Sequence, residues 1–353
     1  MSPFDLNLDG DERPLEESVI GVFNCQHRLF VFMILFVEDK ARLLHFDRTG
    51  ASMTPEFDYT HRPEVIGKFL YRLSNSRNRA AMGHDPTATR ANEADAELFR
   101  NLHTRYHAAS AVGRGLRDAA TEGWPVYKLC IEGRFSLNGS TAVLPNDPVS
   151  RREFIVGKPL SAGRCLCGRG TKTFVAYDIA TKEIVVIKDS WRPNSTNHRS
   201  EYDTYLLLNK AERPAGQPFL IPTLLGGGDV IWDGAAQETR PSGGESNPDH
   251  LKVTRTHFRL VLKEVCRPLE DFFDSLELVT AISFALGGEL YSFLCFKALE
   301  VETSSQLIMA HGGPLVSFIE MSVSATSSSS TRIRKGLPTL RRPRVCFRIG
   351  TSR

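Results

Sequence analysis

Long hydrophobic runs are missing from this 353-residue chain. The longest, Leu29–Val37, has nine residues. A membrane helix needs about 20, so no span is expected. CxxC pairs are missing too. The seven cysteines are odd in number and scattered, which excludes a disulfide-stapled miniprotein. Reduced, partly buried thiols are expected instead. Net charge is only +3, too small by itself to call for a nucleic-acid partner. No apolar h-region stands in MSPFDLNLDGDERP, so no secretory signal is read and an intracellular protein, cytoplasmic or nuclear, is expected. G-x-S-x-G is absent, and no Ser-His-Asp arrangement is recognisable. His103 and His107 share the i, i+4 spacing of two metal ligands, but no third ligand stands near them. A polar helix face is the plainer reading.

What is present is ordinary globular composition, 41% apolar and 24% charged. Length alone favours two domains. Residues 1–18 read as a loose lead-in, acidic and Pro-containing. Leu29–Val37 and Ala41–Phe46 read as strands around the polar turn Glu38–Lys40. Pro63–Leu73 and Ala91–His107 have helical spacing, with a loop over Asn75–Thr89. Tyr127–Ile131 and Thr141–Leu144 read as strands, so residues 19–150 form a small α+β region. From Arg152 the texture changes. Phe154–Leu160, Glu183–Ile187 and Phe258–Val265 are strand-like; Tyr202–Asn209, Pro268–Phe273 and Glu277–Leu286 are helical. Asp233–Asp249 is a surface loop.

One constellation carries chemistry. Gly168 and Gly170 form a Gly-x-Gly turn, Val175 follows, and Lys188 ends the apolar strand Val185–Ile187. Glycines let backbone N–H groups approach phosphates because no Cβ intervenes. A valine after the turn can cover adenine, and a lysine ending the next strand can reach the α- and β-phosphates. Thr173 stands where the full pattern has its third glycine. A buried lysine needs a counter-charge, and Glu201, thirteen residues on at a helix start, is placed to supply it.

The strings GRGTKTFVAYD, VVIKDSWRP, IPTLLGGGDV and RLVLKEVCRPLEDF resemble the fungal-type protein kinase family, with Lys188–Arg192 the most specific part. CQHRLFVFMILF and ARLLHFDRTGA match its N-terminal region, so the resemblance spans roughly residues 20–286. It implies an α+β fold: a kinase-like nucleotide lobe with an incomplete helical lobe (151–287) behind the 19–150 region. It also implies transfer of the ATP γ-phosphoryl group to Ser or Thr hydroxyls of a protein substrate in the intact family member, with ATP and Mg²⁺ as cofactors. From the residues themselves, no membrane partner and no nucleic-acid partner are expected. Gly168 and Gly170 would cover the phosphates, Val175 would pack on adenine, and Lys188 would bind phosphate and pair with Glu201. Glu264 and Val265, after Lys263, would be the hinge, with Pro268–Phe272 opening the next helix.

The pattern then stops. Neither an HRD-type loop nor a DFG-type Asp stands in the sequence, so no catalytic residue is assigned and the metal site is incomplete. The alternative function is a catalytically dead module that binds nucleotide or a partner. From Pro314 to Arg353 there are eight Lys or Arg, one acid and the run Ser327–Ser330, with no periodicity. A largely disordered tail over 288–353 is expected. A basic nucleic-acid arm is the weaker reading of it, since only Phe347 could interleave as an aromatic. The nonapeptide Phe318–Thr326, FIEMSVSAT, can be encoded so that a shifted frame reads HRDVSVGN, the catalytic loop the family should have. A frameshifted reading is therefore expected behind this tail. Transcript sequencing that finds an uninterrupted message for Phe318–Arg353 would overturn it.

Overall fold

The structure is a computed structural model. It describes residues 2–3, 13–76, 78–137, 139, 141–194, 199–210, 221–239, 254–272, 274–283, 319–321 and 349–351. The chain forms two units, Met1–Ala211 with Pro222–Cys266, and Glu212–Ile221 with Arg267–Arg353. Helix and strand are mixed throughout, as the α+β reading requires.

The first unit begins with helix α1 (Arg13–Cys25). It starts inside the lead-in expected over 1–18, because Val19 and Phe23, one helical turn apart, bury the same face. Strands β1 (Val31–Val37), β2 (Lys40–Asp47) and β3 (Gly50–Met53) form an antiparallel meander. Val37 pairs with Lys40, so Glu38 and Asp39 make the turn, with Glu38 at φ 52°. Val19, Phe23, Val31, Leu44 and Phe46 form one apolar core here, and Leu166 joins it from far along the chain.

Helix α2 (Pro63–Ser74) has proline in its first turn, where a missing N–H costs nothing. Helix α3 (Glu93–Asn101) is capped by Asn92 Oδ1, which accepts from the Asp95 N–H at 2.8 Å. It ends earlier than the expected His107, running into a 3₁₀ turn over Leu102–Arg105. Helix α4 (Ala111–Ala119) was not expected from the sequence. Its cap is Ser110 Oγ, which accepts from the Gly113 N–H at 3.0 Å.

Six strands then close on themselves. They are β4 (Tyr127–Phe135), β5 (Val149–Val156), β6 (Lys172–Asp178), β7 (Ile184–Pro193), β8 (Leu224–Asp229) and β9 (Arg255–Leu262). Antiparallel pairing runs β4–β5–β6–β7–β9–β8 and back to β4, where Gly226 meets Phe135. The ring leaves these strands no free edge. Because β5 crosses residue 150 and pairs along β4, the barrel is built from both sides of the boundary expected there.

Alternation along each strand decides what fills the ring. Leu129, Ile131, Phe135, Phe154, Val156, Phe174, Ala176, Val185, Ile187, Leu225 and Val261 make the interior. Val186, Phe258, Leu260 and Leu262 point outward, under helix α5 (Glu201–Lys210). The expected strand Thr141–Leu144 is a loop instead. Val143 is fully buried there, but its N–H reaches the Leu224 carbonyl (2.8 Å) without extending a ladder. Gly227 is needed in β8: its φ is 130°, and a Cβ there would lie 2.2 Å from the Arg259 carbonyl oxygen.

In the second unit, the helix expected over Pro268–Phe273 is a 3₁₀ turn over Leu269–Asp271, and residue 273 lies outside the described residues. A helix follows over 275–283, and Arg267 pairs with Glu277. Residues 284–286 of the expected helix lie outside the described residues. Most of the 288–353 segment does too. Within it, Ile319–Met321 pairs with Ile349–Thr351, a two-stranded ribbon of the kind that is marginal alone in water. No helix among the described residues is long and apolar enough to cross a membrane.

Candidate functional site

Lys188 lies on the outer face of β7, between the inward-pointing Ile187 and Asp189. Register places it opposite Thr173 on β6 and Leu260 on β9. Helix α5 covers this face. Ser200 starts the helix, its Oγ accepting from the Asp203 N–H at 3.1 Å. Glu201 in the first turn accepts from Lys188 Nζ with both oxygens, at 2.7 and 2.8 Å. The expected ion pair is therefore present, bidentate and only about a quarter exposed (22% and 28%). Partial burial makes such a pair stronger than one at the open surface. Burial pushes the hydroxyl of neighbouring Tyr205 up in pKa, reinforced by the charge of Glu201.

Val175 shares this face, because it pairs with Val186, two residues before Lys188. It is fully buried. Its neighbours are not open space but α3 and α4, through Phe99, Leu116 and Ala119. Val265 is half-buried beside the same cluster. Glu264 is exposed, and its carboxylate accepts from the N–H and hydroxyl of Thr223 at 2.7 and 2.8 Å. These bonds fix the segment after β9 against the start of β8.

Gly168 and Gly170 lie in the hairpin between Ser161–Ala162 and β6. The structure engages them differently from the expectation of free phosphate donors. The Gly168 N–H donates to the Arg48 carbonyl at 3.0 Å. A Cβ on Gly170 would lie 2.4 Å from the Arg48 guanidinium. Arg48 Nη1 donates to the carbonyls of Cys165 and Leu166, both at 3.3 Å. Burial pulls the Arg48 pKa down to about 10. Gly163, which the sequence reading did not single out, faces Gly170 across the same hairpin. The two loop thiols, Cys165 and Cys167, are exposed, as are Cys25 and Cys266. Cys130 is half-buried, so among the described residues the cysteines are more open than expected.

A second polar group was missed altogether. Asp189, His257 and Arg259 point into one end of the barrel, where Asp85, Thr87 and Gln237 meet them. Arg259 donates to Asp189 (2.9 Å), to Thr87 (2.7 Å) and to Asp85. Both ring nitrogens of His257 face oxygens, Gln237 Oε1 at 2.7 Å and Asp189 Oδ1 at 2.9 Å. The Trp191 ring stacks on His257 at 4.6 Å. Burial would raise the carboxyl pKa of both Asp85 and Asp189, but the charges of Arg259 and His257 outweigh it and hold both well below the usual range. Lys172 completes the cluster, donating to the carbonyls of Phe23 and Gln26, and burial lowers it to about 8. Among the described residues no group of three or more His, Cys, Asp or Glu could hold a metal ion.

The model of one protein family, described as fungal protein kinase, matches residues 3–217, more than half of the chain. Neither curated proteins nor solved structures gave a match. The matched span takes in the N-terminal region, the glycine hairpin, Lys188 and Glu201, and stops before Glu264. On that match, the chain belongs to the fungal protein kinase family.

Proposed function

We propose that the outer face of the barrel is an ATP site, and that the barrel with α5 is the nucleotide lobe of a Ser/Thr protein kinase. The bidentate Lys188–Glu201 pair is the observation that carries this reading. A lysine held at 2.7 Å by a helix carboxylate has a fixed ammonium that can meet phosphate oxygens. When bound, ATP would supply the transferable phosphoryl group. Lys188 would hold its phosphates, Glu201 would hold Lys188, and the backbone of Glu264 and Val265 would meet the adenine edge. Val175 would pack on adenine, and Gly168 and Gly170 would close over the phosphates once freed from Arg48. Magnesium does not fit the described residues in the same way, since no acidic cluster stands there to receive it.

The reading for this chain is therefore binding without transfer. With no HRD-type Asp to orient a hydroxyl and no DFG-type Asp for metal, positioning and charge neutralisation both fail. The lobe proposed takes in all six barrel strands, so it starts with β4 at Tyr127 and not at the expected 151; the tail over 288–353 is proposed to add no chemistry. An ATP titration of the full chain, with radiolabel transfer to a generic protein substrate measured in parallel, tests it. ATP binding is expected, lost at least tenfold in Lys188→Met, with no transfer from either protein. Transfer that vanishes in Lys188→Met would overturn the inactive reading. Equal binding by wild type and Lys188→Met would overturn the site.

A further inference from the structure

Helix α4 lies where a nucleotide base would have to go. Strand register puts Val175, Val186 and Lys188 on one face. Leu160 joins that face, its N–H donating to the Thr173 carbonyl at 2.8 Å. Onto this surface α4 lays its backbone. A Cβ on Gly115 would lie 2.9 Å from Val175 Cγ2, 3.6 Å from Val265 Cγ1 and 3.7 Å from Leu160 Cδ2. Those three side chains come from β6, from the segment after β9 and from the approach to the glycine hairpin. Val175 is the wall the ATP reading assigns to adenine and Val265 belongs to the segment it assigns to the adenine edge, and a Cβ at position 115 would crowd Val175 first.

The helix is also poorly built to hold itself. It has nine residues, two of them glycine, and no acidic residue in its first turn. Helices this short are marginal without packing. Its C-terminal end is tied down, since the Lys158 N–H donates to the Ala119 carbonyl at 2.8 Å. Its N-terminal side joins the exposed stretch 104–109. With the C-terminal end anchored, the N-terminal end, held by the Ser110 cap, is the one that would have to lift.

We infer that α4 is a built-in plug of the nucleotide site, seated against Val175 and Val265 through Gly115, and that ATP enters only when it lifts. The inference rests on the ATP reading of Lys188 and Glu201. It makes that site self-occluded, so apparent affinity is the intrinsic affinity scaled by the fraction of molecules with α4 lifted. Linkage requires the reverse as well: ATP must loosen α4.

Hydrogen exchange over 111–119 of the full chain, with and without ATP, tests this beside ATP titrations of wild type, Gly115→Leu and Lys188→Met. ATP is expected to speed exchange over 111–119 in wild type. Gly115→Leu, whose side chain cannot sit against Val175, should bind ATP about tenfold more tightly. Unchanged protection across β6 and β7 would show that the variant is folded. ATP binding to wild type with 111–119 still protected would overturn the plug and leave the site standing. So would a folded Gly115→Leu with a freed helix and no gain in affinity. If Lys188→Met binds as well as wild type, or no protein binds even with α4 freed, the site reading fails and the plug falls with it.

Discussion

Replacing Arg259 by Met is expected to destabilise the barrel by about 3–5 kcal/mol, because it leaves buried Asp85 without its main counter-charge and buried Asp189 with His257 but no guanidinium. The guanidinium is fully buried and bridges Asp189 on β7 to Asp85 before the barrel. Met restores volume but no donor, so the oxygens of Asp85 and Asp189 lose bonds that no solvent can replace. The pH response gives the sharper signature. In wild type both carboxylates are held below their unfolded values, so this stabilisation is fully present above about pH 4 and is lost as pH falls through the folded values. In the variant burial dominates at Asp85, whose folded value moves above the unfolded one. Its penalty is then present at neutral pH and relieved by protonation, so the gap between the proteins should narrow from pH 7 toward pH 5. Denaturant midpoints across that range decide the matter. A loss under about 1 kcal/mol, or a gap that widens on acidification, would show that the network is not held by Arg259.

How much of this was legible in the sequence depends on the range of the interaction. Lys188 and Glu201 were, because an apolar strand and a capped helix fix them locally and thirteen residues separate them. The β1–β2 hairpin was legible for the same reason, two apolar runs around a polar turn. Helix α4 was not, since Gly113 and Gly115 each weaken helix propensity by about 1 kcal/mol relative to Ala. Ser110, with Val112, Leu116 and Ala119 behind it, was the signal that could have revealed it. Closure of the barrel depends on β8 meeting β4, some ninety residues apart in sequence, and no local period reports such a pairing. The buried network escaped for a related reason. Asp189, His257, Arg259 and Asp85 look like ordinary surface charges until register turns them inward. In β7 the alternation itself was visible: if Lys188 faces out, Asp189 must face in.

Arg48 belongs to the same illegible class, and it bears on the second large effect. Leu166→Ala should release the glycine hairpin at a cost of about 2–5 kcal/mol in docking, the range for emptying a buried leucine site. Leu166 is 2% exposed and sits among Val19, Phe23 and Phe46, so it is the hairpin's apolar anchor in the N-terminal core, beside the Asn24 Nδ2 bond to the Gly163 carbonyl at 3.1 Å. The Trp191 N–H donates to the Arg169 carbonyl at 2.7 Å, but the Arg48 contacts are of modest quality. Arg48 reaches the Cys165 and Leu166 carbonyls at 3.3 Å, and its guanidinium lies 4.3 Å over the Phe23 ring. Once the leucine anchor is gone, these bonds must hold nine loop residues against their backbone entropy, at about 1–2 kcal/mol each. The amides of Gly163 and Gly168, bonded to the Thr171 and Arg48 carbonyls at 3.0 Å, should then exchange much faster. Amides of β6 and β7 inside the barrel should keep their protection, because Phe174, Val185 and Ile187 do not touch the anchor's core. A released Gly168 N–H is also free to meet a phosphate, so ATP affinity should rise if the hairpin is a phosphate cover. Exchange across 163–171 that stays at the wild-type rate in a folded Leu166→Ala protein would show that Arg48, rather than Leu166, fastens the loop.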